Sequence, residues 1–205
     1  MHKNNYDFLI EQIVEFVHFT EKAKYTYRSS KTSNGNKDTV AGHSWRMAML
    51  ALLIAPYLKR GFSLEKTLKL ITIHDLAELE IGDVNLIELL KNPQLLKEKN
   101  QKENNFFETL VKLLPSSIAE EFFKLWIEYE EKETYESKIV NAIDKLEAHL
   151  QNNESGSTYV IDNLKKMRKY RTIVKEFEFD SFIKKLFSFC LDEATNEKNY
   201  GFEIT

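Results

Sequence analysis

One cysteine in 205 residues, Cys190, excludes an internal disulfide. Neither sign of charge dominates: 29 basic against 32 acidic residues leave a formal −3. That balance offers no broad field for a nucleic acid polymer or an anionic membrane, so any anionic ligand needs a local site. The longest apolar run, "MAMLALLIA" from Met47, has about half the roughly 20 residues a bilayer-spanning helix requires. The opening "MHKNNYDFLI" lacks the basic, apolar and small-residue order of a secretion signal, and the expected location is the cytoplasm. Six glycines and three prolines are too few to punctuate an all-β chain, and apolar residues recur every three or four positions. These features predict an all-α helical bundle forming one domain over 1–205, its core at about 40–150 and C-terminal helices at about 157–194 packed on it.

The pattern predicts a helix over about 5–22, then an exposed polar loop, "RSSKTSNGNKD", at Arg28–Asp38. A second helix, Val40 to about Leu58, carries the stripe His43, Met47, Leu50, Ile54. A third runs from the N-cap Ser63 to about Ile81, where Gly82 suits a helix end. A short helix follows near Val84–Lys91. Asn92 and Pro93 then open a polar helix reaching about Leu114. Two further helices carry Ile118, Phe122, Leu125, Tyr129 and Ile139, Ile143, Leu146, Leu150, the latter beginning near Thr134. After the turn "NNESGS" two more helices are expected. In this region "KKMRKYRTIVK" at Lys165–Lys175 reads as a solvated face, and the Phe-rich end as core or a dimer contact.

Three core stripes are interrupted by groups seldom buried without partners: His43, His74 with Asp75, and Asp144. Singly, His43 reads as a satisfied core histidine and Asp144 as a residue at the edge of its stripe. Together they offer two imidazole nitrogens and two carboxylates, a donor set for one divalent ion, whose charge offsets the cost of burying carboxylates. Glu78 lies four residues after His74 and three after Asp75, on the same side of a helix. Asp83, after Gly82, sits where a turn can bring it back. Glu80 reads as solvated, and His2, His18 and His149 have no partner that the sequence identifies.

The ordered segments "AGHSWRMAM", "IHDLAELEIGD" and "IVNAIDKLEAHL" resemble the HD-domain superfamily of metal-dependent phosphohydrolases, over about residues 5–190. More narrowly they resemble its small 5′-deoxynucleotidase group. The resemblance implies an all-α HD fold holding one divalent ion (Mn²⁺, Co²⁺, Fe²⁺ or Mg²⁺) on His43, His74, Asp75 and Asp144. It implies Glu78 and Asp83 as catalytic acids outside that shell, and release of phosphate from (deoxy)nucleoside 5′-monophosphates. Members of the group place a basic–aromatic pair, Arg-Trp in some, against phosphate and sugar. The match here is Lys24–Tyr25, with Lys22 and Arg28 close by, and Tyr is smaller than Trp. A nucleotide is therefore the expected partner, and a homodimer is suggested by analogy. The competing readings are an HD enzyme acting on nucleoside triphosphates or on cyclic or oligomeric nucleotides, and a helical scaffold with a structural ion.

Overall fold

The computed structural model describes residues 5–59, 61–84, 86–156 and 174–195. The helices are α1 (Asn5–Thr20), α2 (Val40–Ile54), α3 (Leu64–Ile73), α4 (Glu78–Ile81), α5 (Leu86–Lys91), α6 (Pro93–Leu110), α7 (Ser116–Glu131), α8 (Tyr135–Glu154) and α9 (Ser181–Thr195). The only strands among the described residues, β1 (Tyr27–Lys31) and β2 (Lys37–Thr39), form one antiparallel hairpin. The chain is thus helical, as its composition predicts.

Local chemistry sets most boundaries. Ser63 accepts a hydrogen bond from Lys66 N, Asn92 from Gln94 N and Leu95 N, and Thr134 from Ser137 N. Each satisfies amides that the first helical turn leaves free. Pro93 fills the first turn of α6, where no amide proton is needed. Gly82 ends α4 at φ 85°, a conformation costly for any side chain.

Three expectations need correction. "RSSKTSNGNKD" is largely a hairpin, not an open loop: Tyr27 pairs with Thr39 and Lys31 with Lys37, around a turn held by Thr32, Asn34 and Asn36. The helix from Ser63 does not continue to Ile81. It ends at Ile73, and Leu76 N→Ile73 O (3.1 Å) and Glu78 N→Asp75 O (3.1 Å) replace the α pattern with tight turns before α4. The second helix stops at Ile54 because Pro56 forces a short 3₁₀ turn over Ala55–Tyr57. The expected solvated helix at Lys165–Lys175 lies almost entirely outside the described residues.

α8 is the central element, packed against α2, α3, α7, α9 and β1. Ile139, Val140, Ile143 and Leu146 are fully buried along it. Phe107 of α6 stacks on Trp126 of α7 at 4.4 Å, and Phe177 stacks on Phe187 of α9 at 3.7 Å. The Phe-rich end is therefore mainly core, although Phe189 remains exposed. α2, the end of α3 and α8 bring their polar interruptions to one place.

Candidate metal centre and active site

His43 projects from the first turn of α2 and is completely buried. Its Nε2 lies 3.1 Å from Asp144 Oδ1 and 3.9 Å from Asp75 Oδ2, while Nδ1 contacts Glu147 Oε2. His74 caps the end of α3. Its Nδ1 donates to Ile71 O at 2.7 Å, and its buried Nε2 makes no hydrogen bond and stands 3.1 Å from Asp75 Oδ2. Both rings therefore spend Nδ1 on the protein and aim Nε2 at a common point.

Donor atoms of His43, His74 and Asp75 all lie within 4.8 Å of one another, and Asp144 Oδ1 adjoins His43 Nε2. Donors sharing an ion at about 2.1 Å stand about 3 Å apart when adjacent and about 4 Å when opposite. The 3.1 Å and 3.9 Å separations fit that requirement, and the unpartnered Nε2 of His74 gives a cation something to satisfy. His43, His74 and Asp75 thus form a donor cluster of the size one divalent ion needs, while Asp144, the fourth residue expected there, adjoins it through His43 alone.

Charges around this point are coupled. Burial opposes ionisation of Asp75, but His74, Arg28 and His43 outweigh it and hold its carboxyl well below the usual range. Asp144 is held low in the same way, chiefly by its hydrogen bond to His43. Burial opposes charge on His43, yet Asp144 and Glu147 raise its pKa to about 9. Arg28 of β1 reaches in with Nη1 3.0 Å from Asp75 Oδ2 and Nη2 3.9 Å from Asp144 Oδ1.

A cavity of about 430 Å³ opens beside these residues, within the roughly 300–1,000 Å³ of small-molecule sites. Its lining includes Arg28, His74, Asp75 and Asp144, with Glu78 and Asp83. Glu78 is buried, with Oε1 3.3 Å from Lys99 Nζ and Oε2 unpartnered. Burial and the charge of Asp75 push its pKa well above the ordinary value. Asp83 accepts from Ser29 N at 2.7 Å, so β1 holds it against the site. Glu80 points away, exposed and paired with Lys22.

Of the residues predicted to bind substrate, Arg28 lines the cavity; Lys24 and Tyr25 do not, and both are exposed. They precede the hairpin, whereas Arg28 is carried inward on it. Basic groups that the sequence reading did not single out stand in the wall instead: Lys99 on α6, Lys132 just after α7, and Lys145 on α8. Lys99 spaces i, i+4 with Glu103, and that pair on an otherwise polar helix was its available signal. Glu147 follows Asp144 by three residues in the quoted third segment, although its partner His43 is 104 positions distant.

Comparisons with known proteins place the chain by family and fold. A family model described as HD domain matches residues 20–182. The chain is 33% identical over 114 residues to 5′-deoxynucleotidase HDDC2 of Xenopus laevis, covering 56% of this chain and 53% of that protein. It is 30% identical over 137 residues to 5′-deoxynucleotidase hdd1 of Schizosaccharomyces pombe, covering 66% and 68%. The match thus spans only about half the length of the frog relative. A crystal structure of a predicted metal-dependent phosphohydrolase from Magnetospirillum magnetotacticum MS-1 superposes with TM-score 0.77 at 25% identity, over 92% of this chain and 96% of that one. With a family match across most of its length, this chain belongs to the HD-domain family.

Proposed function

We propose that the protein is a metal-dependent phosphomonoesterase that removes the 5′-phosphate from (deoxy)nucleoside monophosphates. The observation that carries this reading is the cluster of His43, His74 and Asp75, with Asp144 beside His43, next to a cavity that Glu78 and Asp83 also line. A purely structural ion has no use for two further carboxylates facing the same space. The names of the Xenopus and Schizosaccharomyces relatives support the substrate class.

In this reading His43, His74, Asp75 and Asp144 hold one Mn²⁺, Co²⁺, Fe²⁺ or Mg²⁺. The ion, when bound, supplies a Lewis acid for a phosphoryl oxygen and a water of lowered pKa. Arg28, beside Asp75 and Asp144, supplies a fixed donor fork to the phosphate. Lys99 stands next to Glu78 and adds a second positive group. Asp83, fixed by Ser29 N, orients the attacking water. Glu78, buried and unpartnered at Oε2, delivers the proton that the departing sugar oxygen needs.

The charge of the wall favours a monophosphate over a triphosphate. With Glu78 carrying its proton, the five other acids of the lining (Asp75, Asp83, Glu103, Glu130, Asp144) face four bases (Arg28, Lys99, Lys132, Lys145), so one divalent ion leaves a formal charge of only +1. That leaves little positive potential for two additional phosphates.

A panel of 5′-mono- and triphosphates, in matched ribo and deoxyribo forms with Mn²⁺, Co²⁺ or Mg²⁺, tests the proposal by phosphate release. Metal bound without release from any nucleotide would sink the enzyme reading. We also propose a homodimer. α1 exposes Tyr6, Ile10, Ile13 and Val17, and α2 exposes Trp45, Met49 and Leu52, apolar stripes suited to a second copy. Sedimentation that finds only monomer removes this part.

A further inference from the structure

We propose that Glu147 is a positioning residue for the metal site: it aims the His43 ring without binding ion or substrate. The inference rests on the reading of His43 as a ligand and concerns what makes it one. On α8, Asp144 and Glu147 are three residues apart, and they take the two sides of the same ring. Asp144 Oδ1 lies 3.1 Å from Nε2, while Glu147 Oε2 contacts Nδ1. Glu147 is fully buried and does not line the cavity, so no step of the proposed reaction uses it.

A buried carboxylate costs several kcal/mol unless its oxygens are compensated, which requires a reason for its retention. Its second oxygen, Oε1, makes no hydrogen bond but stands 3.3 Å from Arg46 Nη1, one turn along α2 from His43. Arg46 is itself anchored, with Nη1 and Nη2 each 2.8 Å from Glu154 and Nη1 2.6 Å from Gln151 Oε1. The carboxylate is thus held at both oxygens by α2, through His43 and through an Arg46 that α8 anchors.

Fixing Nδ1–H on a carboxylate leaves Nε2 as the free donor, sets the ring plane and strengthens the nitrogen as a ligand. His74 achieves the first two through a backbone carbonyl, Ile71 O, which no substitution removes. The two histidines therefore differ: only His43 depends on an anionic side chain.

The test uses metal-free full-length protein and measures Mn²⁺ affinity by equilibrium dialysis, with Co²⁺ absorption as the spectroscopic readout. Glu147→Gln keeps the acceptor and loses the charge; Glu147→Leu loses both. Affinity should fall about 10- to 100-fold in Gln, and further in Leu. The Co²⁺ spectrum should change, while phosphate release at saturating Mn²⁺ recovers in Gln. Equal affinity in all three proteins overturns the inference; a loss in Leu with none in Gln supports the aiming of the ring and assigns it to the hydrogen bond rather than to the charge. If neither variant folds, Arg46→Met, which releases Oε1, must show a smaller loss of Mn²⁺ affinity in the same direction; unchanged affinity overturns the inference. Because affinity is read without nucleotide, a protein that binds Mn²⁺ but hydrolyses nothing defeats the enzymatic reading alone. A wild-type protein that binds neither ion defeats this one.

Discussion

His149 should make the stability of the fold fall in mild acid. It sits on α8 at the cavity wall, 5% exposed, with Nδ1 unpartnered and its ring against Phe187 at 5.4 Å. Burial, aided by the charge of Lys145, lowers its pKa from 6.5 to about 4. Between these values the unfolded chain takes up a proton that the folded chain refuses. Stability is therefore full above pH 6.5, falls as pH drops toward 4, and is flat below. The gap corresponds to about 3 kcal/mol at its limit, of which about 2 kcal/mol falls between pH 7.5 and 5. Glu78 and His43 titrate as well, so the measurement is a double difference. Urea unfolding of wild type and His149→Gln at both pH values, in chelator, cancels whatever the two proteins share. The wild type should lose about 2 kcal/mol more than the variant. Parallel losses would show that the folded protein accommodates a charged His149 and would refute the argument.

The remaining perturbations separate the jobs of neighbouring residues. Asp75→Ala should abolish both Mn²⁺ binding and phosphate release, whereas Glu78→Gln should retain Mn²⁺ and lose about 10²- to 10⁴-fold in kcat; dialysis and turnover on the same preparations would show loss of metal in both if the division is wrong. Gly42→Ala places a Cβ 2.9 Å from Asp38 Oδ1 and 3.3 Å from Thr39 Oγ1, in the turn that presents His43. Asp38 is buried and bonded to Thr39 N, so it yields little, and unfolding in urea should show a loss of about 1–3 kcal/mol.

What the sequence displayed well was local. Ser63, Asn92–Pro93 and Thr134 mark helix starts because a cap acts within three residues of itself, and the structure uses all three. The gathering of His43, His74 and Asp75 was legible for a different reason: a histidine or aspartate inside an apolar stripe is costly enough to demand a partner. The hairpin was not legible, since its pairing of Tyr27 with Thr39 spans a segment rich in turn residues that reads as loop. A segment read as loop gives no reason to rank Arg28 above Lys24 and Tyr25, whereas the strand carries Arg28 alone of the three to the carboxylates. Glu147 is visible beside Asp144 on one helix face but without a role, and Lys99 without any signal beyond its pairing with Glu103, because their significance lies in contacts with His43 and Glu78, which no local pattern encodes.

The break in the third helix explains how His74 and Asp75, adjacent in sequence, bring donor atoms to one point. Consecutive residues on an α-helix point about 100° apart, so an uninterrupted helix from Ser63 to Ile81 would spread them around its axis. Ending α3 at Ile73 frees both. Ile71 O is released to take His74 Nδ1–H, which turns Nε2 inward, and Asp75 enters a tight turn that sets Oδ2 3.1 Å from that nitrogen. The same turn restarts helix at Glu78, whose carboxylate then faces the cavity rather than the donor cluster. Gly82 at φ 85° redirects the chain, and Asp83 meets Ser29 N. Ten residues thus divide between the donor cluster and the wall of the cavity because the helix fails between them, and a substitution that restored a continuous helix there would dismantle both arrangements together.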